Sequence, residues 1–113
     1  MLGRDFDLIA LPGGMPGAER LRDTPALIEK LRDQDARGAL YAAICASPGV
    51  VLGTHGLIGI RMATAYPGFE KLLPTGSAQD ADVVRGGNLI TSRGPATAMA
   101  FALALVDALC GKE

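Results

Sequence analysis

Long apolar runs are missing from this sequence. The longest strongly apolar stretch, Ala98 to Val106, is far short of the roughly 20 residues that cross a bilayer. An excess of charge of one sign is missing too. Eleven Lys and Arg stand against twelve Asp and Glu, a net charge of −1. No broad basic field exists to hold nucleic acid or an anionic membrane, and neither is expected as a partner. The short basic-acidic mixtures between Glu19 and Arg37 read as a solvated helix face. Cysteine is scarce: only Cys45 and Cys110 occur, far apart, and a disulfide-stapled secreted domain needs more. There is no C-x-x-C pair and no His-rich cluster, so neither a metal nor another cofactor is expected. The opening Met1-Leu2-Gly3-Arg4-Asp5 lacks the basic-then-apolar pattern of a signal peptide. The expectation is an intracellular, cytoplasmic protein in a reducing compartment.

What is there fits one small domain. The 113 residues are 49% hydrophobic and 20% charged, ordinary values for a globular chain with a modest core. Phe6 to Leu11 is a short apolar run stopped by Pro12-Gly13-Gly14, which predicts a buried strand and a glycine turn. Thr24-Pro25 predicts a helix start, with Thr24 as N-cap and Pro25 in the first helical position. Leu27, Ile28 and Leu31 form its apolar stripe, Glu29, Lys30, Arg32 and Asp33 face water, and Gly38 ends it. Ala39 to Ile44 predicts a second buried strand. Ser47-Pro48 opens a helix through Val50, Val51 and Leu52 that ends near His55-Gly56.

Further along, Arg61 to Thr64 predicts a strand. Pro67-Gly68 breaks the chain before a short helix around Glu70 to Leu72. Asp82 to Arg85 and Asn88 to Ser92 read as a hairpin across Gly86-Gly87. Gly94-Pro95 opens a last helix that runs to Cys110, with Gly111 as its cap. Strands alternating with helices imply an α/β fold with a largely parallel sheet. The sheet is thin, however. Buried parallel strands need neighbours on both edges and helices on both faces, so a portion before Met1 is expected to be missing.

The segment Tyr41-Ala42-Ala43-Ile44-Cys45-Ala46-Ser47-Pro48-Gly49 carries the chemistry. A nucleophile between a buried strand and a helix sits on a tight turn at the C-terminal edge of the sheet, where ligands bind in such folds. Ala43, Ala46, Ser47 and Gly49 are small enough for that crowded turn. The adjacent helix N-terminus carries partial positive charge, which favours the nucleophilic thiolate. From this segment alone, a reactive cysteine and a plain buried one both fit. Pro12-Gly13-Gly14 ends the neighbouring strand at the same sheet edge, and Gly14 and Ala46 are placed to offer N–H groups to an oxyanion. His55 lies one helix away, roughly 15 Å from Cys45 at 1.5 Å per residue, and reads as a helix-end histidine. Cys110 reads as structural. Arg93 is open to two roles, an anion holder or one half of an ion pair.

At these residues the sequence resembles the ThiJ/PfpI family. The matching stretches are Phe6 to Gly14, then Ala42-Ala43-Ile44-Cys45-Ala46, then Asn88 to Pro95 with the Ala-rich helix after it, and together they cover almost the whole chain. The resemblance implies a flavodoxin-like three-layer sandwich of the class I glutamine amidotransferase-like kind. Residues 1–113 would be one such domain, incomplete at its N-terminus and forming a homodimer. It implies that Cys45 is the reactive residue, with Gly13, Gly14 and Ala46 at backbone positions around the sulfur and Tyr66 and Arg93 in a pocket nearby. It implies glyoxalase or deglycase activity on methylglyoxal and its adducts, peroxide sensing, or holdase chaperone activity.

Three departures qualify this. The family's stretch before the Pro-Gly-Gly strand, with the glutamate that hydrogen-bonds the thiol, has no counterpart here, so a separate N-terminal segment is an expected partner; Glu19 follows that turn and is not the glutamate. Ala46 stands where the protease-like branch has histidine, which argues against peptidase activity. Tyr66 precedes Pro67 where many members have histidine. The His-x-Glu pair of glutamine amidotransferases is also absent. A carboxylate outside this chain would then move protons during aldehyde conversion, while the rival reading is a redox-sensing or chaperone protein without turnover.

Overall fold

The computed structural model describes residues 6–110. Gly111, expected as the last cap, lies outside the described residues. Strand β1 spans Leu8–Leu11, β2 Leu40–Ile44, β3 Val83–Gly86 and β4 Leu89–Ser92. They form one sheet in the order β1-β2-β4-β3. β1 and β4 both run parallel to β2, with Leu11 beside Ala43 and Ile44 beside Ser92. β3 closes the far side as the antiparallel arm of a hairpin. The turn falls at Gly87-Asn88, where Gly87 has φ +60°, one residue later than the Gly86-Gly87 pair suggests.

Helices cover both faces. Helix α1 is Gly17–Arg22 and α2 is Pro25–Ala36. Both lie on one face with the short elbow helix Pro48–Gly53. Leu11, Ala18, Leu31, Tyr41, Val51, Leu52 and Ile58 are buried together there. Helix α3, Ala98–Cys110, lies on the other face, where Phe101 packs with Ala42 and Ile90. This three-layer arrangement is the flavodoxin-like α/β fold, and the middle strand β2 delivers Cys45 at its C-terminal end. Tyr41 is fully buried, its hydroxyl donates to the Leu57 carbonyl, and burial pushes that hydroxyl up to about 12. No helix among the described residues is long and apolar enough to cross a membrane.

Several local expectations need correction. Arg61 to Thr64 is not a strand: it makes a single bridge, Ala63 to Ala78. The free edge of β4 is taken by β3, and this segment crosses over it instead, so close that a Cβ on Gly86 would lie 2.8 Å from the Met62 carbonyl oxygen. Thr24 holds the N-cap position of α2 without a side-chain cap bond; its hydroxyl donates back to the Arg20 carbonyl at 2.6 Å. That bond reflects α1, a six-residue helix unmarked in the sequence, whose last turn offers the carbonyl. Lys30, expected in water, is buried. Its ammonium sits 5.7 Å from the Phe6 ring centre and 3.5 Å from Asp33, partners that cover it. The elbow helix has wide π-type turns and stops at Gly53, short of His55. Before α3, Pro95–Thr97 forms a 3₁₀ turn, and Thr97 Oγ1 accepts from the Gly94 N–H at 3.1 Å.

β1 is an edge strand. Ala10 is exposed, and Leu8 and Ile9 are half-buried. On α3, Met99, Leu103, Val106 and Leu109 are exposed by 74%, 58%, 53% and 47%. A helix that is apolar on all sides belongs in an interior, so both features mark surface that is open in this chain alone.

Candidate active site

Cys45 is the only described non-glycine residue with positive φ, at +68°. An L-residue there is strained by roughly 1–3 kcal/mol and persists only where its surroundings fix it. Those surroundings are on every side. The Cys45 N–H donates to the Ser92 carbonyl at 3.0 Å, and its carbonyl accepts the Tyr66 N–H at 2.8 Å. The Ser47 hydroxyl donates to the Pro12 carbonyl at 2.5 Å, tying the elbow to the glycine turn after β1. Gly13 packs directly on the cysteine: a Cβ there would fall 2.2 Å from the Cys45 Cβ and 3.2 Å from Sγ. Only a residue without a side chain lets the two strand ends approach this closely.

The thiol is half-buried and opens on a cavity of about 310 Å³ lined by Gly13, Gly14, Ile44, Cys45, Gly94 and Ala98. A second cavity of about 250 Å³ is lined by Tyr66, Pro67, Asp82, Arg93, Gly94, Ala96 and Thr97. The two meet at Gly94. The sequence-predicted residues thus separate into three positions. Gly13 and Gly14 share the thiol's cavity. Ala46 is buried beneath it, its carbonyl accepting the Val50 N–H at 2.9 Å. Tyr66 and Arg93 lie together next door. Arg93 is the ion-pair alternative realised, its Nη2 donating to Asp80, while its Nε is buried without a described partner.

Gly94, Ala98 and Ile44 were not singled out by sequence reasoning. Gly94 read only as a helix opener, and its position depends on a contact with Tyr66 that no local pattern encodes. Among the described residues no carboxylate lines the thiol's cavity. Among the described residues no cluster of three or more metal-ligating side chains occurs.

His55 lines a different cavity, with Arg22, Asp23, Pro25, Ile28 and Glu29, and its Nε2 lies 2.7 Å from the Arg22 carbonyl oxygen. It ties the end of the elbow segment to α1, away from the sulfur. His55→Ala is therefore expected to leave the alkylation rate of Cys45 within about threefold, the scale of a remote hydrogen-bond loss. Peptide mapping after iodoacetamide treatment checks this, and a hundredfold loss would show that the site is drawn wrongly.

Known proteins share the fold that carries this site. The DJ-1/PfpI family model matches residues 2–108. Protein DJ-1 homolog B of Arabidopsis thaliana is 47% identical over 109 residues, covering 96% of this chain and 25% of that protein. The glutathione-independent glyoxalase DJR-1.2 of Caenorhabditis elegans is 40% identical over 111 residues, covering 97% of this chain and 59% of that protein. The structure of oxidized Toxoplasma gondii DJ-1 superimposes with a TM-score of 0.92 at 47% identity, covering 96% of this chain and 59% of that one. The chain thus spans between a quarter and about three fifths of the length of these relatives. With the elbow cysteine, the glycine turn against it and the family match along nearly its whole length, the chain belongs to the DJ-1/PfpI family.

Proposed function

We propose that Cys45 is the nucleophile of a glyoxalase- or deglycase-type protein acting on methylglyoxal or its adducts in a reducing, cytoplasmic setting. The observation that carries this reading is the strained turn at Cys45, φ +68°, with its sulfur at a small cavity beside the Gly13-Gly14 turn. The thiolate adds to the aldehyde carbon; a C–S bond forms and the carbonyl π electrons move to oxygen, giving a hemithioacetal. Main-chain N–H groups at Gly14 and Ala46 steady that oxygen. A proton then moves from the former aldehyde carbon to the neighbouring carbonyl carbon while the negative charge passes from the first oxygen to the second, which takes up a proton, leaving a lactoyl thioester; water cleaves its C–S bond to give lactate, free thiolate and two protons returned to solvent. The proton transfer needs an acid–base group within hydrogen-bond reach. Because no carboxylate lines the cavity, that group comes from a segment other than the described residues. The C. elegans relative named as a glutathione-independent glyoxalase supports the reaction class. A homodimer is the proposed assembly.

A second reading has one observation of its own: the Toxoplasma relative is described in an oxidized state. In that reading peroxide takes Cys45 to the sulfinate, and sensing or holdase activity replaces turnover. Lactate release from methylglyoxal by the full-length protein, lost in Cys45→Ser, is the expected result. Sulfinate formation at Cys45 with no lactate under any condition would overturn the first reading in favour of the second.

A further inference from the structure

Residues Tyr66 to Leu72 form a strap across the elbow helix. Three glycines seat it. A Cβ on Gly49 would lie 2.7 Å from the Phe69 carbonyl oxygen, one on Gly53 2.3 Å from the Leu72 carbonyl oxygen, and one on Gly94 2.9 Å from Cδ1 of the Tyr66 ring. The strap is also tied within itself: the Phe69 N–H donates to the Tyr66 carbonyl at 2.9 Å and the Leu72 N–H to the Phe69 carbonyl at 3.1 Å. The Gly68 N–H donates to Glu70 Oε1 at 2.8 Å. The Tyr66 and Phe69 rings stand 6.4 Å apart, tilted by 55°. At its leading end the Tyr66 N–H reaches the Cys45 carbonyl. Of the two main-chain hydrogen bonds at Cys45, one comes from the rigid end of β4 and this one comes from the strap.

We propose that Tyr66 is a positioning residue for the reactive cysteine: the strap, seated on Gly49, Gly53 and Gly94, holds the Tyr66 N–H on the Cys45 carbonyl and so maintains the left-handed turn that presents the sulfur. A strained residue relaxes when one of its ties is removed. Loss of this tie lets Cys45 turn toward ordinary backbone angles and carries Sγ out of its cavity. Gly94 acts through the ring, which it must admit at van der Waals distance. The inference rests on Cys45 being the reactive thiol, and its test separates the two claims.

The test is the rate of iodoacetamide alkylation at Cys45, read by peptide mapping with exposed Cys110 as internal reference and unfolding temperature as a check on folding. Tyr66→Phe keeps both ring and N–H and is expected to label within about twofold of wild type. Tyr66→Ala keeps the N–H and loses the seat, for a fall of about threefold. Tyr66→Pro removes the N–H and is expected to fall at least about tenfold below Tyr66→Ala. Equal rates for Ala and Pro overturn the proposal. Should the proline variant fail to fold, Gly49→Ala serves, because it unseats the strap at the Phe69 carbonyl without lining the thiol's cavity. It is expected to slow labelling about threefold in the otherwise wild-type chain and to have no further effect in Tyr66→Ala; additive effects overturn the proposal. A wild-type Cys45 no faster than Cys110 would overturn the reactive-thiol reading as well.

Discussion

Gly13→Ala is expected to lower the unfolding temperature by roughly 10 °C and to cut alkylation of Cys45 at least about tenfold. The new methyl group would sit 2.2 Å from the Cys45 Cβ and 2.7 Å from the Ile44 carbonyl oxygen. Both belong to the end of the central strand, so neither can swing aside. Relief requires the β1 turn to pull away from the elbow, breaking the bond from Ser47 to the Pro12 carbonyl. Overpacking of this kind costs about 1–3 kcal/mol, which in a domain of this size shifts the melting point by several degrees per kcal/mol. The methyl would also stand against Sγ and block approach to it. Gly38→Ala is the control: Gly38 has φ +72° but open space around its Cβ position, so it pays only the backbone term of about 1 kcal/mol. A Gly13→Ala protein that melts within about 2 °C of wild type and labels at the same rate would remove the close approach of the two strand ends as a feature of the site.

The second large effect concerns the open surfaces. The 113 residues by themselves are expected to self-associate and to leave methylglyoxal unconverted. Adding the portion of a relative that lies outside the match should yield a one-to-one complex. Drosophila melanogaster dj-1beta is suitable, since this chain covers 58% of its length at 43% identity. Among the described residues nothing pairs with the outer edge of β1, and such an edge recruits other strands. α3 presents Met99, Leu103 and Val106 to solvent. A segment that pairs with the first and covers the second binds the folded state only. At a thousandfold excess over its dissociation constant it adds about 4 kcal/mol, or roughly 15–30 °C in melting point. Light scattering, thermal unfolding and lactate formation report the three parts separately. A monomeric, cooperatively folding chain that turns methylglyoxal over at the rate of a full-length relative would refute both the need for the segment and the external proton shuttle.

The central strand, the elbow and the glycine turn were legible because their signals are local. Small residues flank Cys45, Pro48 starts a helix, and Pro12-Gly13-Gly14 stops a strand. The parallel order follows from alternation of strands and helices. What the sequence hid depends on distant partners. The burial of Lys30 requires the Phe6 ring to lie across from α2. The segment from Arg61 to Thr64 reads as a strand, but the slot it would fill is occupied by the β3 arm of the hairpin. α1 lacks a capping side chain and is too short to show a period. Tyr66 could be suspected from its place before Pro67, but its link to Cys45 is a main-chain bond and leaves no mark on residue identity.

The strand order also bears on how the chain finds its fold. Only β3 and β4 are joined by a tight turn. β1 meets β2 across α1 and α2, and β2 meets β4 across the elbow helix, the strap and the hairpin's first arm. Tyr41 must find Leu89, and Leu8 must find Leu40. The entropy of closing those long loops is spent before their contacts return anything. The hairpin can form early and locally, whereas the turn at Cys45 is bonded to the ends of β4 and the strap and takes shape only when the distant pairings are complete. Folding is thereby slow at the very residue on which the chemistry depends, and the thiol acquires its final setting last.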